Sequence, residues 1–257
     1  MKSLKNILFT TFFLSMLFNS FGQNYLLNSE NKPSKRGINY YVIENNELIK
    51  KQFNQKFNFE LGYSTIKTDN LELYTGYKPN ELGYYFGEGE IIIDNSEKFL
   101  GYSNLDFEDR EKYSETNAFV RGALIHEYAH QAIEEISIEE SISENEVVIS
   151  LFNQKKNFFL EFIEEGIAEY CALKSGEVIS TFRYETPESQ EELGDTANIY
   201  KFKYKYASYF VEPVLKKYGF REGVKELLKN PPTLEEVLNK ELYYEKFGIT
   251  KKSLFRR

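Results

Sequence analysis

Both histidines of this 257-residue chain lie in one pentapeptide, His126-Glu127-Tyr128-Ala129-His130. Residues four apart stand on one face of an α-helix, so two imidazoles at that spacing can reach a single ion. Zn²⁺ takes neutral imidazole nitrogens at about 2.0–2.1 Å. Glu127 follows the first imidazole and points just off that face. A carboxylate there can act as general base on a water that the ion acidifies. Two histidines scattered at random fall four apart, with a Glu after the first, in roughly one chain in a thousand, so idle side chains explain the pattern poorly. Phe119, Val120, Ala123, Leu124, Ala129 and Ile133 give the surrounding stretch an apolar surface. The expectation is a helix over about 115–136 with His126 and His130 as metal ligands and Glu127 as the catalytic base.

A catalytic zinc keeps three protein ligands and one open position. With no third histidine and one cysteine, Cys171, the remaining ligand is expected to be a carboxylate. Thirty-four residues beyond His130 comes Glu164-Glu165-Gly166-Ile167-Ala168-Glu169-Tyr170, in a stretch with helical spacing over about 158–174. Gly166 and Ala168 are small enough to let this helix approach the histidine-bearing one. Glu161, Glu165 and Glu169 share a face, and Glu164 adjoins it, so helical geometry alone leaves the choice of ligand open.

These residues resemble the gluzincin metallopeptidases, the zincins whose third zinc ligand is a glutamate, both thermolysin-like and aminopeptidase N-like. The aminopeptidase pattern reads Asn-Glu-Gly, an aromatic, Ala; here Glu164 stands for the Asn and Ile167 for the aromatic. The resemblance implies Glu165 as third ligand and Glu169 as hydrogen-bond partner of a zinc-bound imidazole. A later segment, Tyr206-Ala207-Ser208-Tyr209-Phe210-Val211, is similar to the aminopeptidase helix whose tyrosine hydroxyl steadies the tetrahedral oxyanion, which implies that role for Tyr206. It also implies an α+β, zincin-like fold, with a small mixed sheet, two ligand-bearing helices and a cleft between the halves. Ile91–Ile93 is the candidate edge strand for an extended peptide. The resemblance spans about 115–220. The interval between His130 and Glu165 exceeds that of the aminopeptidases, and their Gly-x-Met-Glu-Asn segment is absent, so aminopeptidase activity is not implied. The implied function is a zinc-dependent peptidase acting on a peptide or protein. The alternatives are a non-catalytic zincin-like binding module and a narrow peptidase for a cell-wall peptide or one partner protein.

The chain opens with Lys2 and Lys5, a mostly apolar run from Ile7 to Phe18, and small residues at Ser20 and Gly22. That order reads as a secretory signal peptide over 1–22, cleaved after Gly22, and implies a secreted or periplasmic protein without stable membrane insertion. The formal charge of −8 argues against a nucleic-acid partner, since phosphate binding requires a basic face.

After a polar leader (23–37), residues 38–257 read as one domain, strand-rich over 38–114 and helical over 115–257. Strands are expected at Asn39–Ile43 and around Leu71–Tyr74, with a helix over Glu47–Phe57 between them. A hairpin over Gly83–Asp94 turns at Gly87-Glu88-Gly89, ahead of a loop over Ser96–Ser114. Further helices are expected at about 197–218, 220–229 and 234–240. Gly176 is the expected stop of the 158–174 helix and Gly219 that of 197–218, Thr233 and Glu236 form a capping box, and Pro213 imposes a kink or break. Glu134, Glu135, Glu139, Glu140, Glu144 and Glu146 read as a solvated acidic loop. Cys171 reads as a small buried side chain.

Overall fold

The computed structural model of the chain describes residues 35–75, 82–95, 111–142, 154–175 and 200–250, with the isolated positions 187 and 192. The expected signal peptide, the leader up to residue 34, the 96–110 part of the expected loop, Gly176, Glu144 and Glu146 lie outside the described residues. The described chain is a mixed α+β structure, mostly helical, with one three-stranded sheet.

Helix α1 runs from Lys35 to Phe57. It takes in the end of the expected leader and replaces the expected strand at Asn39–Ile43. Val42, Ile49 and Phe53 recur at helical spacing and are all buried, while Ile43 is 68% exposed. One stripe of this helix therefore covers the core, and that tertiary contact overrides the β preference of the Val42-Ile43 pair. Tyr128 ties the helix to the histidine pentapeptide by donating its hydroxyl to the Asn46 carbonyl at 3.2 Å.

Strand β1 (Thr65–Asp69) follows, then a short helix α2 (Glu72–Thr75), strand β2 (Gly83–Tyr85) and strand β3 (Glu90–Asp94). The second expected strand is thus displaced: the β-branched run Thr65-Ile66 pairs, whereas Leu71–Tyr74 turns. The buried Asp94 carboxylate accepts the Leu71 N–H at 3.1 Å and fixes that turn. The sheet order is β1-β3-β2, with β1 parallel and β2 antiparallel to β3. The hairpin forms as expected. Its turn passes through Gly87, Glu88 and Gly89 at φ of 91°, 51° and 80°, a left-handed run that two glycines make tolerable. Ile91–Ile93, the candidate edge strand, lies instead in the central strand with all three isoleucines buried. Central position follows from apolarity on both faces, which an edge strand does not need. A helix over 35–57 and three short strands also mean that 38–114 is not predominantly strand.

Helices α3 (Glu111–Glu139) and α4 (Gln154–Lys174) form the centre of the molecule. α3 begins within the segment expected to be a loop. Val120, Leu124, Ala129 and Ile133 are buried, as its apolar face requires. Residues Tyr200–Tyr206 wind as a π-helix and continue into α5 (Ala207–Tyr218). α5 passes through Pro213 without interruption. The change in winding falls at Tyr206/Ala207, not at the proline. Gly219, at φ 80°, separates α5 from α6 (Phe220–Lys229). Thr233 and Glu236 form the expected capping box on α7 (Leu234–Leu238). A final helix, α8 (Lys240–Lys246), buries Tyr243 and Tyr244. Tyr243 donates to the Asn230 carbonyl at 2.7 Å, and Tyr244 to the Phe210 carbonyl at 3.1 Å. No helix among the described residues is long and apolar enough to cross a membrane.

Gly166 is where α4 meets its neighbour most closely. A Cβ on it would stand 2.7 Å from the Ala207 carbonyl oxygen and 2.9 Å from the Ala207 Cβ. The small residue thus admits α5 rather than the histidine-bearing helix. Alanine gains about 1 kcal/mol over glycine in helix propensity, yet Gly166→Ala is expected to lower unfolding stability by about 1–3 kcal/mol because backbone must move. Urea denaturation of the two proteins measures the sign.

Candidate metal centre

His126 and His130 stand one turn apart on α3, and Glu165 faces them from α4. Their donor atoms converge. His126 Nε2 is 3.2 Å from Glu165 Oε2 and 3.2 Å from His130 Nε2. The third edge, His130 Nε2 to Glu165 Oε2, is 3.7 Å. The point in their plane equidistant from all three lies about 2.0 Å from each, the length of a zinc–nitrogen or zinc–oxygen bond. A regular tetrahedral zinc site would have edges of about 3.3 Å. The donor set is also the right chemistry for a borderline cation, and His126, His130 and Glu165 form a group able to hold a metal ion.

Burial would raise the Glu165 carboxyl, but the two imidazoles that hydrogen-bond it outweigh burial and hold it well below the usual carboxylate range. Glu165 therefore offers an ionised oxygen to whatever sits at the centre. The other acids on α4 are occupied differently. Glu161 pairs with Lys203 of the π-helical segment. Lys203 also lies 3.9 Å from Glu165 Oε1, the oxygen other than the one that faces the imidazoles. Burial pushes the Glu164 carboxyl up to about 7, against the pull of His130, and Glu164 is not among the converging donors. Glu169 turns one oxygen toward His126 Nδ1 at 3.9 Å and gives the other to Lys205. This is the position expected of a partner to the ligand imidazole, just beyond direct hydrogen-bond length.

Glu127 is buried beneath the first residue of β2. A Cβ on Gly83 would stand 2.9 Å from Glu127 Oε1 and 3.1 Å from Ile93 Cδ1. The strand thus opens on a glycine, which leaves room for the carboxylate.

Tyr206 is not brought to the centre. Its hydroxyl donates to the Val237 carbonyl at 2.8 Å, and its buried ring packs beside Phe162 and Phe210. The tyrosine that reaches the imidazoles is Tyr204, half-buried, with its ring 6.1 Å from that of His126. Lys203, Tyr204, Lys205 and Gly83 were not singled out as site residues by the sequence. Only the π winding of 200–206 shows which side chains of the Tyr/Lys-rich run face α4.

The acidic stretch after the pentapeptide is not a free negative face. Glu134 accepts from the Tyr85 hydroxyl and, at 3.1 Å, from the Glu88 N–H. Glu135 accepts the Gly62 N–H at 3.0 Å. Glu139 pairs with Arg221, and Glu140 with Lys225 at 2.9 Å. Cys171 is buried as expected, and burial raises its thiol well above the ordinary value.

Compared with protein-family models, curated proteins and solved structures, the chain matches none.

The geometry separates the α4 acids experimentally. Glu165→Gln is expected to weaken Zn²⁺ binding by at least about 100-fold, beyond the loss typical of an outer-shell change. Glu161→Gln should stay within about threefold of the parent. Competition with a chromophoric chelator reads both.

Proposed function

We propose that this chain is a secreted or periplasmic zinc-dependent peptidase of zincin-like design, with His126, His130 and Glu165 as zinc ligands and Glu127 as general base. The observation that carries the reading is the triangle of three donors with a bond-length centre, next to a buried carboxylate that a merely structural site would not require. The localisation rests on the signal-peptide pattern of residues 1–22.

His126, His130 and Glu165 would hold the ion, which when bound would supply Lewis-acid activation of water near neutral pH. Glu127 takes the proton of the attacking water and passes it to the leaving amine. Gly83, having no side chain, leaves the space that the Glu127 carboxylate occupies against β2. β2 ends the sheet among the described residues and lies over Glu127, so an extended peptide added along it would run past the base. To Tyr204, whose ring lies 6.1 Å from that of His126, we assign donation to the oxyanion that develops on the scissile carbonyl. Lys203 neutralises the outward oxygen of Glu165 and leaves the inward one for the ion.

The test is cleavage of a quenched fluorescent peptide library by the purified protein. Chelation is expected to abolish cleavage and stoichiometric Zn²⁺ to restore it. Glu127→Gln should keep the metal and lose about 10²–10⁴ in kcat. Wild-type rates in that variant remove the mechanism, and stoichiometric zinc without cleavage of any peptide favours a binding module instead. For the phenols, Tyr204→Phe is expected to lower kcat by about 10²-fold, whereas Tyr206→Phe leaves kcat within about threefold and lowers stability by about 1 kcal/mol through its lost hydrogen bond.

A further inference from the structure

Lys205 is 4% exposed, and it meets Glu169 in an ion pair whose side chains are 6% and 9% exposed. Withdrawing two opposite charges from water carries a desolvation penalty that their attraction offsets only in part. Apolar residues of similar volume often serve stability equally well or better. Stability is thus a weak reason for a lysine to be here. A second observation supplies another. Lys205 holds Oε1 of Glu169, while Oε2 of the same carboxylate faces His126 Nδ1 at 3.9 Å. On the far side of that ring, Nε2 points at Glu165 Oε2, 3.2 Å away. Ammonium, carboxylate, imidazole and metal centre therefore stand in series.

Resting on the metal-centre reading, we propose that Lys205 is a positioning residue of that centre, acting through Glu169 on His126. A glutamate side chain has three rotatable bonds, and left to itself can turn either oxygen to any nearby donor. With one oxygen gripped by a buried ammonium, the other is aimed at the Nδ1–H of His126. At 3.9 Å this is an electrostatic contact rather than a hydrogen bond; the carboxylate beside Nδ1 favours the tautomer with its proton there, whose Nε2 lone pair faces Glu165 and His130. The lysine is delivered by the π-helical segment Tyr200–Tyr206, a winding that is rare and recurs at functional sites. The Ser208 hydroxyl holds the Lys205 carbonyl at 2.8 Å where that segment gives way to α5. The same segment delivers Lys203 to Glu161 and Glu165, so two ammonium groups two residues apart serve acids along one face of α4.

The experiment measures the Zn²⁺ dissociation constant of the purified full chain by chelator competition, together with the melting temperature of the metal-free form. The variants are Lys205→Met, Glu169→Gln and the double variant. Lys205→Met and Glu169→Gln are each expected to weaken zinc binding about 10–100-fold. The double variant is expected to bind within about threefold of Glu169→Gln alone, because a residue acting through Glu169 has nothing left to act on. A structural role would move the metal-free melting temperature and leave zinc affinity alone. Should Lys205→Met fail to fold, Lys205→Gln is read in its place against the same outcomes. Zinc affinity within threefold of wild type in the Lys205 variant overturns the inference while the metal centre stands, as do losses that multiply in the double variant. A wild-type chain that binds no zinc overturns both.

Discussion

Two imidazole nitrogens and a carboxylate oxygen held 3.2–3.7 Å apart have a choice between sharing protons and sharing a cation. Their lone pairs repel unless something positive lies between them. Keeping them converged requires α3 and α4 to stay at one separation and one rotation. Much of the molecule serves that demand. α1 and the sheet flank α3, and α5 leans on α4 where Gly166 admits Ala207. α8 pins the far side of α5 through the Tyr244 hydroxyl. The core is one continuous cluster around these contacts. Of the other acids on α4, Glu161 and Glu169 are each given a lysine, and Glu164 is pushed toward its neutral form by burial.

Features set by a few neighbouring residues were legible in the sequence. The hairpin at Gly87-Glu88-Gly89, the Thr233–Glu236 capping box, the Gly219 stop and the helix carrying the pentapeptide all depend on contacts within about a turn. α1 was not legible over its first half, because Val42 and Ile43 carry a strand preference that only the packing of Val42, Ile49 and Phe53 reverses. The strand placed around Leu71 was lost to a similar distant cause: the Asp94 carboxylate, 23 residues on, captures the Leu71 N–H.

The site divides the same way. His126, Glu127 and His130 were readable because one helix turn defines them. Glu165 was one of several acids on a face, and what sets it apart lies outside α4: the lysines of the π-helical segment take Glu161 and Glu169. Tyr206 was assigned by the resemblance of Tyr206–Val211 to an aminopeptidase helix, and a short resemblance carries no information on winding. Counting 197–218 as regular α-helix assigns the wrong rotation to every side chain before Ala207, and residue types do not announce a π turn. The result is a phenol bonded to Val237 and another, two residues earlier, beside His126.

The one turn of α3 that follows His130 grips the sheet, with Glu134 holding the hairpin at Tyr85 and Glu88 and Glu135 holding the backbone ahead of β1 at Gly62. Strand and helix are therefore riveted together a single turn from the imidazoles. The joint is polar rather than greasy: two carboxylates on neighbouring residues accept from one hydroxyl and two backbone N–H groups, which fixes the direction of approach as well as the distance.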